Sequence, residues 1–138
     1  LGGLPGKRDA GDNMSKKVLI IDDDIDFLTA YGALFRSRGC DVHTAFNTTE
    51  GRGEIDTFAP DLIILDVMME RADEGFEFAQ QLLDEKIRIP VIITSSIAKA
   101  GQELFDIDIP NVRAVMQKPV DFGELTALAE KIFAGQKA

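Results

Sequence analysis

Asp22, Asp23 and Asp24 follow the aliphatic run Val18–Ile21, and Asp66 follows a second such run, Leu62–Leu65. A third run, Val91–Ile93, ends in Thr94, Ser95 and Ser96, and a weaker one, Val112–Met116, ends in Gln117, Lys118 and Pro119. Continuous aliphatic runs read as strands buried on both faces, the mark of a parallel sheet. In an open parallel sheet, ligands bind beyond the carboxyl ends of the strands. Three or more carboxylates, a hydroxyl and a lysine therefore converge on one edge. Crowded carboxylates repel one another unless a cation joins them. Oxygen donors suit a hard divalent ion, and Mg2+ typically takes one or two carboxylates together with phosphate oxygens and water. Such a set supports phosphoryl chemistry.

Each residue also has a plainer role open to it. Asp24 or Asp26 can cap a helix N-terminus. Ser95 alone is a loop hydroxyl, and Lys118 before Pro119 a solvated turn lysine, so both gain weight from their company. Capping does not account for Asp22 and Asp23 together with Asp66. His43 reads as a partly exposed strand residue, Cys40 as a small core residue, and Met68 and Met69 as packing residues.

The elements that must position these groups alternate along the chain. Val42–Phe46 is a further weak strand. Phe27, Leu28, Tyr31, Leu34 and Phe35 recur at helical spacing, with Gly39 where a C-terminal cap belongs. Phe76, Ala79, Leu82 and Leu83 repeat the pattern, as do Leu125, Leu128, Ala129, Ile132 and Phe133. Thr48–Phe58 reads as a short helix weakened by Gly51 and Gly53. Between Ser96 and Asn111, Gly101, alternating Ile and Asp, and Pro110 predict a short or irregular helix. Five βα units result, the signature of a doubly wound α/β domain. The lead LGGLPGKRDAGDN lacks an apolar period, and Met14 opens the patterned region. We read 1–15 as a flexible N-terminal lead or cloning remnant, 16–134 as one domain, and 135–138 as a short tail.

The chain's 138 residues make one domain that can bury a core without a disulfide or metal staple. Fifteen Lys and Arg against twenty-four Asp and Glu give a formal charge of −9. No basic stripe is present to displace counterions from a polyphosphate, which argues against direct nucleic-acid binding. The aliphatic runs are far shorter than the roughly 20 residues that span a bilayer. One Cys and one His exclude an internal disulfide, a zinc constellation and a His-based triad. A lone thiol predicts a reducing, cytoplasmic location.

Four motifs taken together resemble a receiver domain of the two-component response regulator family: VLIIDDD at 18–24, DLIILDVMM at 61–69, PVIITSS at 90–96 and QKPVDFGEL at 117–125. Asp23, Asp66, Ser95 and Lys118 follow one another at intervals of 43, 29 and 23 residues, which is typical of that family. The resemblance covers about residues 16–134 and implies a flavodoxin-like (βα)5 fold with a five-stranded parallel sheet in the order 2-1-3-4-5. It implies that Asp66 is the phosphoacceptor. Asp22 and Asp23 would hold Mg2+ (or Mn2+ in its place), Asp23 directly and Asp22 largely through water, together with Asp66 and the Met68 carbonyl. The Ser95 hydroxyl would bind a phosphoryl oxygen, and Lys118 would pair with Asp66 before transfer and with the phosphoryl group afterwards. The implied partners are a sensor histidine kinase or phosphotransfer protein and a downstream protein, with a homodimer open and no membrane or nucleic-acid contact. Such a domain phosphorylates and dephosphorylates itself but is no turnover enzyme.

The sequence departs from the family pattern in places. Glu70 stands where the family usually has Pro, and Gly75 falls nine residues after Asp66 rather than eight, so the loop ERADEG is longer and more acidic. Val115 replaces the usual aromatic residue three positions before Lys118, which argues against an aromatic switch. Two alternatives stand beside the phosphoacceptor switch. One is a pseudo-receiver acting as a protein-interaction module, favoured by these departures. The other is a haloacid dehalogenase-like phosphatase, for which Asp22 and Asp24 supply a D-x-D but Asp26 stands where Thr or Ser is needed.

Overall fold

The computed structural model describes residues 14–67, 74–96 and 109–135. Five strands, β1 (Lys17–Ile21), β2 (Asp41–Ala45), β3 (Leu62–Asp66), β4 (Val91–Ser95) and β5 (Val112–Gln117), form one parallel sheet in the order β2-β1-β3-β4-β5. Among the described residues four helices accompany it: α1 (Ile25–Ser37), α2 (Thr48–Phe58), α3 (Glu74–Asp84) and α4 (Phe122–Gly135). The doubly wound α/β fold expected from the aliphatic runs is thus observed. The Ser96–Asn111 segment falls largely on residues 97–108, which lie outside the described residues, as does the loop carrying Glu70 and Asp73.

Alternation along the central strands divides two cores. Val18, Ile20, Leu62, Ile64 and Ile92 face α1 and α4, where they meet Phe27, Leu28, Tyr31, Phe35, Leu125, Ala129, Ile132 and Phe133. Leu19, Ile21, Ile63, Leu65, Val91 and Ile93 face Ile55 of α2 and Phe78 and Leu82 of α3. With apolar side chains inward on both faces, β1, β3 and β4 carry no polar period, which is why they read as unbroken runs. Their carboxyl ends, where the runs turn to Asp and Ser, are buried with the core at Asp22, Asp66 and Ser95.

Helix ends follow local chemistry. The Asp24 carboxylate accepts from the Asp26 amide at 2.9 Å and the Phe27 amide at 3.4 Å, so Asp24, not Asp26, caps α1. The chain leaves α1 through Gly39, whose φ of 86° suits a residue without a Cβ. At α2, Asn47 Oδ1 accepts from the Glu50 amide at 2.8 Å while Glu50 Oε1 accepts from the Phe46 amide at 2.8 Å, a reciprocal cap that stabilises a glycine-containing helix. Gly51 has a packing role, since a Cβ there would collide with the Ile21 side chain just below Asp22.

β5 joins β4 through a one-residue irregularity. Val112 lies opposite Val91 but Ala114 lies opposite Ile92, so Arg113 is an extra residue on β5. In consequence Val112 and Val115 both pack on the α2–α3 core, while Met116 packs on the α1–α4 core. Lys118, two residues beyond Met116, continues on that second face.

Candidate functional site

Asp22 leaves β1 fully buried, and Asp66, the last residue of β3, is 4% exposed; Asp23 is exposed. Oxygens of the three carboxylates lie within 4.8 Å of one another. Asp22 is engaged at both oxygens: Oδ1 accepts from the Asp24 amide at 2.9 Å and Oδ2 from the Lys118 ammonium at 2.7 Å. The same ammonium lies 3.9 Å from Asp66 Oδ2. The expected pairing of Lys118 with Asp66 is present as this longer ion pair, while its short hydrogen bond goes to Asp22. A four-carbon stem lets one ammonium serve either carboxylate, and the deeper one holds it.

Aromatic residues of α1 brace the lysine. Its ammonium sits over the Phe27 ring at 4.3 Å, and Phe27 stacks on Tyr31 with ring centroids 4.1 Å apart. The Tyr31 hydroxyl donates to the Val120 carbonyl, two residues beyond Lys118, and the Phe122 ring meets Tyr31 edge-on at 4.8 Å. Burial pushes the Tyr31 phenol above its ordinary range, so it remains a donor. Sequence reasoning placed Phe27 and Tyr31 in the core and missed this second role. Their spacing of one helical turn was the available signal.

Ser95 is buried at the end of β4, and its carbonyl accepts from the Lys118 amide at 2.7 Å, tying the hydroxyl-bearing and lysine-bearing strand ends together. Beside it Thr94 is also buried, registered opposite Asp66, and its carbonyl accepts from the Val67 amide at 3.1 Å. Gly75 at the start of α3 lies so near that a Cβ would stand 2.8 Å from Val67 Cα, so this helix approaches the residue after Asp66 closely. Met68, expected to offer a carbonyl, lies outside the described residues.

The donor set fits a hard divalent ion. Three carboxylates face one ammonium, a formal excess of two negative charges held in a partly buried place, and all the donors are oxygens. Both Asp22 oxygens are already bonded, and Asp23 is the exposed member of the cluster, open to direct contact with a cation. The remaining candidates lie elsewhere. His43 on β2 pairs with Glu54 at 2.6 Å and stacks on Phe58, as befits a half-exposed strand residue. Cys40 is buried, and burial raises its thiol pKa. No helix among the described residues is long and apolar enough to cross a membrane.

Known proteins resemble this chain in sequence and fold. The family model for the response regulator receiver domain matches residues 18–130. The alkaline phosphatase synthesis transcriptional regulatory protein PhoP of Bacillus subtilis (strain 168) is 29% identical over 119 residues, 86% of this chain and 49% of that protein. A protein-glutamate methylesterase/protein-glutamine glutaminase of Treponema denticola is 34% identical over 90 residues, 64% of this chain and 24% of that protein. The chain thus spans half or less of the length of these curated relatives. Among solved structures, the receiver domain of Francisella response regulator 1452 superposes with a TM-score of 0.77 at 26% identity, over 89% of this chain and 100% of that one. A CheY-like receiver domain protein from Methanospirillum hungatei JF-1 has the same fold, with a TM-score of 0.78 at 22% identity over 89% of this chain and 97% of its own. With strand order, acidic cluster and lysine all in place, the chain belongs to the response regulator receiver family of two-component signalling.

Proposed function

We propose that this domain is a phosphorylation-dependent switch that accepts a phosphoryl group onto Asp66 from a histidine kinase or phosphotransfer protein. One observation carries the reading: the buried Asp66 carboxylate shares a cluster with Asp22, Asp23 and a lysine whose ammonium is already within 3.9 Å of it. An Asp66 oxygen attacks the phosphorus of a phosphohistidine, the N–P bond breaks, and the imidazole leaves with the bonding pair and takes a proton from solvent. An acyl phosphate remains on Asp66. The transition state is loose, so positioning and charge stabilisation do most of the work. The Lys118 ammonium turns from Asp22 toward the phosphoryl oxygens, and the Ser95 hydroxyl donates to one of them. Asp23 and Asp66, with Asp22 behind them and the Met68 carbonyl, would hold Mg2+ or Mn2+, which when bound offsets the charge gathering on the phosphoryl oxygens. Because Ser95 and Lys118 are joined through the backbone, a shift of either favours a rearrangement at the ends of β4 and β5, the surface that a downstream partner would read.

The domain comprises residues 16–134, and a cytoplasmic setting fits both its free thiol and its proposed donor. The deciding experiment is incubation with Mg2+ and acetyl phosphate followed by intact mass measurement. The expected result is one added HPO3 group, dependent on Mg2+ and absent from Asp66→Asn. Equal labelling of the variant would overturn the role of Asp66. No adduct, with no Mg2+ binding, would make the domain a protein-interaction module.

A further inference from the structure

Tyr31 brings a hydroxyl into an otherwise apolar stripe. Phe27, Leu28 and Phe35 share its face of α1 and are buried with it in the α1–α4 core. A buried phenol needs a hydrogen-bond partner, and this one finds it on a distant element. The hydroxyl donates to the carbonyl of Val120, 89 residues further along the chain. Phenylalanine would fill the same space, so what the hydroxyl contributes depends on what that carbonyl belongs to.

Val120 stands in the short link between β5 and α4, which begins with Lys118. At its start the Lys118 amide donates to the Ser95 carbonyl at 2.7 Å, and at its end the Asp121 carboxylate accepts from the Glu124 amide at 2.8 Å. Tyr31 holds the link between those points, from a different element. The same stack reaches the ammonium: Tyr31 lies on Phe27 at 4.1 Å, and the Lys118 ammonium covers Phe27 at 4.3 Å. One turn of α1 thus touches both the charged tip of the lysine and the backbone two residues beyond it. That tip lies 2.7 Å from Asp22 and 3.9 Å from Asp66. A lysine stem carries ample rotamer freedom of its own, so its reach is defined only if its root is fixed.

We infer that Tyr31 is a positioning residue for phosphoryl uptake: by donating to the Val120 carbonyl it fixes the backbone from which Lys118 reaches the phosphoryl oxygens. This rests on the reading of Asp66 as phosphoacceptor. With the bond in place, the free domain already holds the root of the lysine where the loaded state needs it. Without the bond the link samples other arrangements, and apparent affinity for the phosphoryl group falls with the fraction that stays competent. The carboxylates proposed for Mg2+ stand at the ends of β1 and β3, so the metal alone should not feel the loss.

The test titrates beryllofluoride, an acyl-phosphate mimic, calorimetrically at saturating Mg2+ into the wild type, Tyr31→Phe, Ile132→Val and Asp66→Asn. Mg2+ alone is titrated into each, and each is melted unloaded. Tyr31→Phe keeps the ring and its stack, so it should stay folded and melt roughly 3–8 °C below the wild type. It should need about three- to tenfold more beryllofluoride for half-saturation, the effect of one lost hydrogen bond, yet bind Mg2+ no more weakly. Ile132→Val thins the same core further along α4 and also melts lower by a few degrees, but should take up beryllofluoride as the wild type does. A merely structural tyrosine would leave uptake unchanged, weaken Mg2+ binding as well, or be matched by Ile132→Val. Any of these three results would overturn the role of Tyr31 alone. Asp66→Asn should take up none. No uptake by the wild type, or equal uptake by Asp66→Asn, would overturn the phosphoacceptor reading and this one with it.

Discussion

Lys118→Met removes the ammonium while keeping most of the apolar stem. The ammonium donates to Asp22 at 2.7 Å, lies 3.9 Å from Asp66 and covers the Phe27 ring at 4.3 Å. The Asp22 and Asp66 side chains are 1% and 5% exposed, so the carboxylates left behind have little access to water. Removing one partner of a buried ion pair costs about 3–5 kcal/mol, because the other charge stays buried. Two features favour the low end: Asp22 Oδ1 keeps the Asp24 amide, and the lysine side chain is 17% exposed, so water can follow its loss. We expect a loss of about 3 kcal/mol without divalent ions, or roughly 10 °C in melting temperature for a domain of this size. The assay is urea unfolding followed by circular dichroism at neutral pH with a chelator, then with saturating Mg2+. A ligand that binds only the native state stabilises it by mass action, and the variant, with one fewer cation among its carboxylates, should gain more from Mg2+ than the wild type. A variant within about 1 kcal/mol of the wild type, the range of a surface ion pair, would refute the view of this lysine as the site's resident counterion. So would an equal response to Mg2+.

Further expectations concern the frame. Gly75→Ala should destabilise by about 1–3 kcal/mol despite the better helix former, because the new methyl meets the Val67 backbone. Gly53→Ala, which meets nothing within 4 Å inside α2, should stabilise by about 0.5–1 kcal/mol; chemical denaturation of the pair tests both signs. Cys40 keeps its proton over a range where the unfolded chain loses it, since burial raises the folded thiol's pKa. Stability should therefore fall as pH rises through the ordinary thiol range near about 8.5, and fall less steeply in Cys40→Ala; urea midpoints on either side of that range decide it.

Much of the frame was legible because burial on both sheet faces writes itself as unbroken aliphatic runs, and the strands fell within a residue or two of those runs. Thr48–Phe58 forms as expected despite two glycines, and the cap of Asn47 and Glu50 that holds its start was not part of that expectation. The composition of the site was legible too, since strand ends are where an apolar run turns polar. Lys118 pairs with Asp66 as expected, but spacing along the chain could not say that its flexible ammonium would bond more closely to Asp22. The aromatic brace of Phe27 and Tyr31 looked like ordinary core because one helix face serves both ends.

Arg113 gives β5 an expansion joint. Above it, four registered pairs from Ile92–Ala114 to Ser95–Gln117 clamp the strand to β4, and the Lys118 amide closes the clamp on the Ser95 carbonyl. Below it, Val112 is matched to Val91 independently. The exposed Arg113 side chain takes no part in either core, so the surplus residue can be dropped with Ala114 still opposite Ile92. Changes of a single residue in the chain feeding β5 are thereby taken up at the base of the sheet, and the ammonium at its top keeps its side.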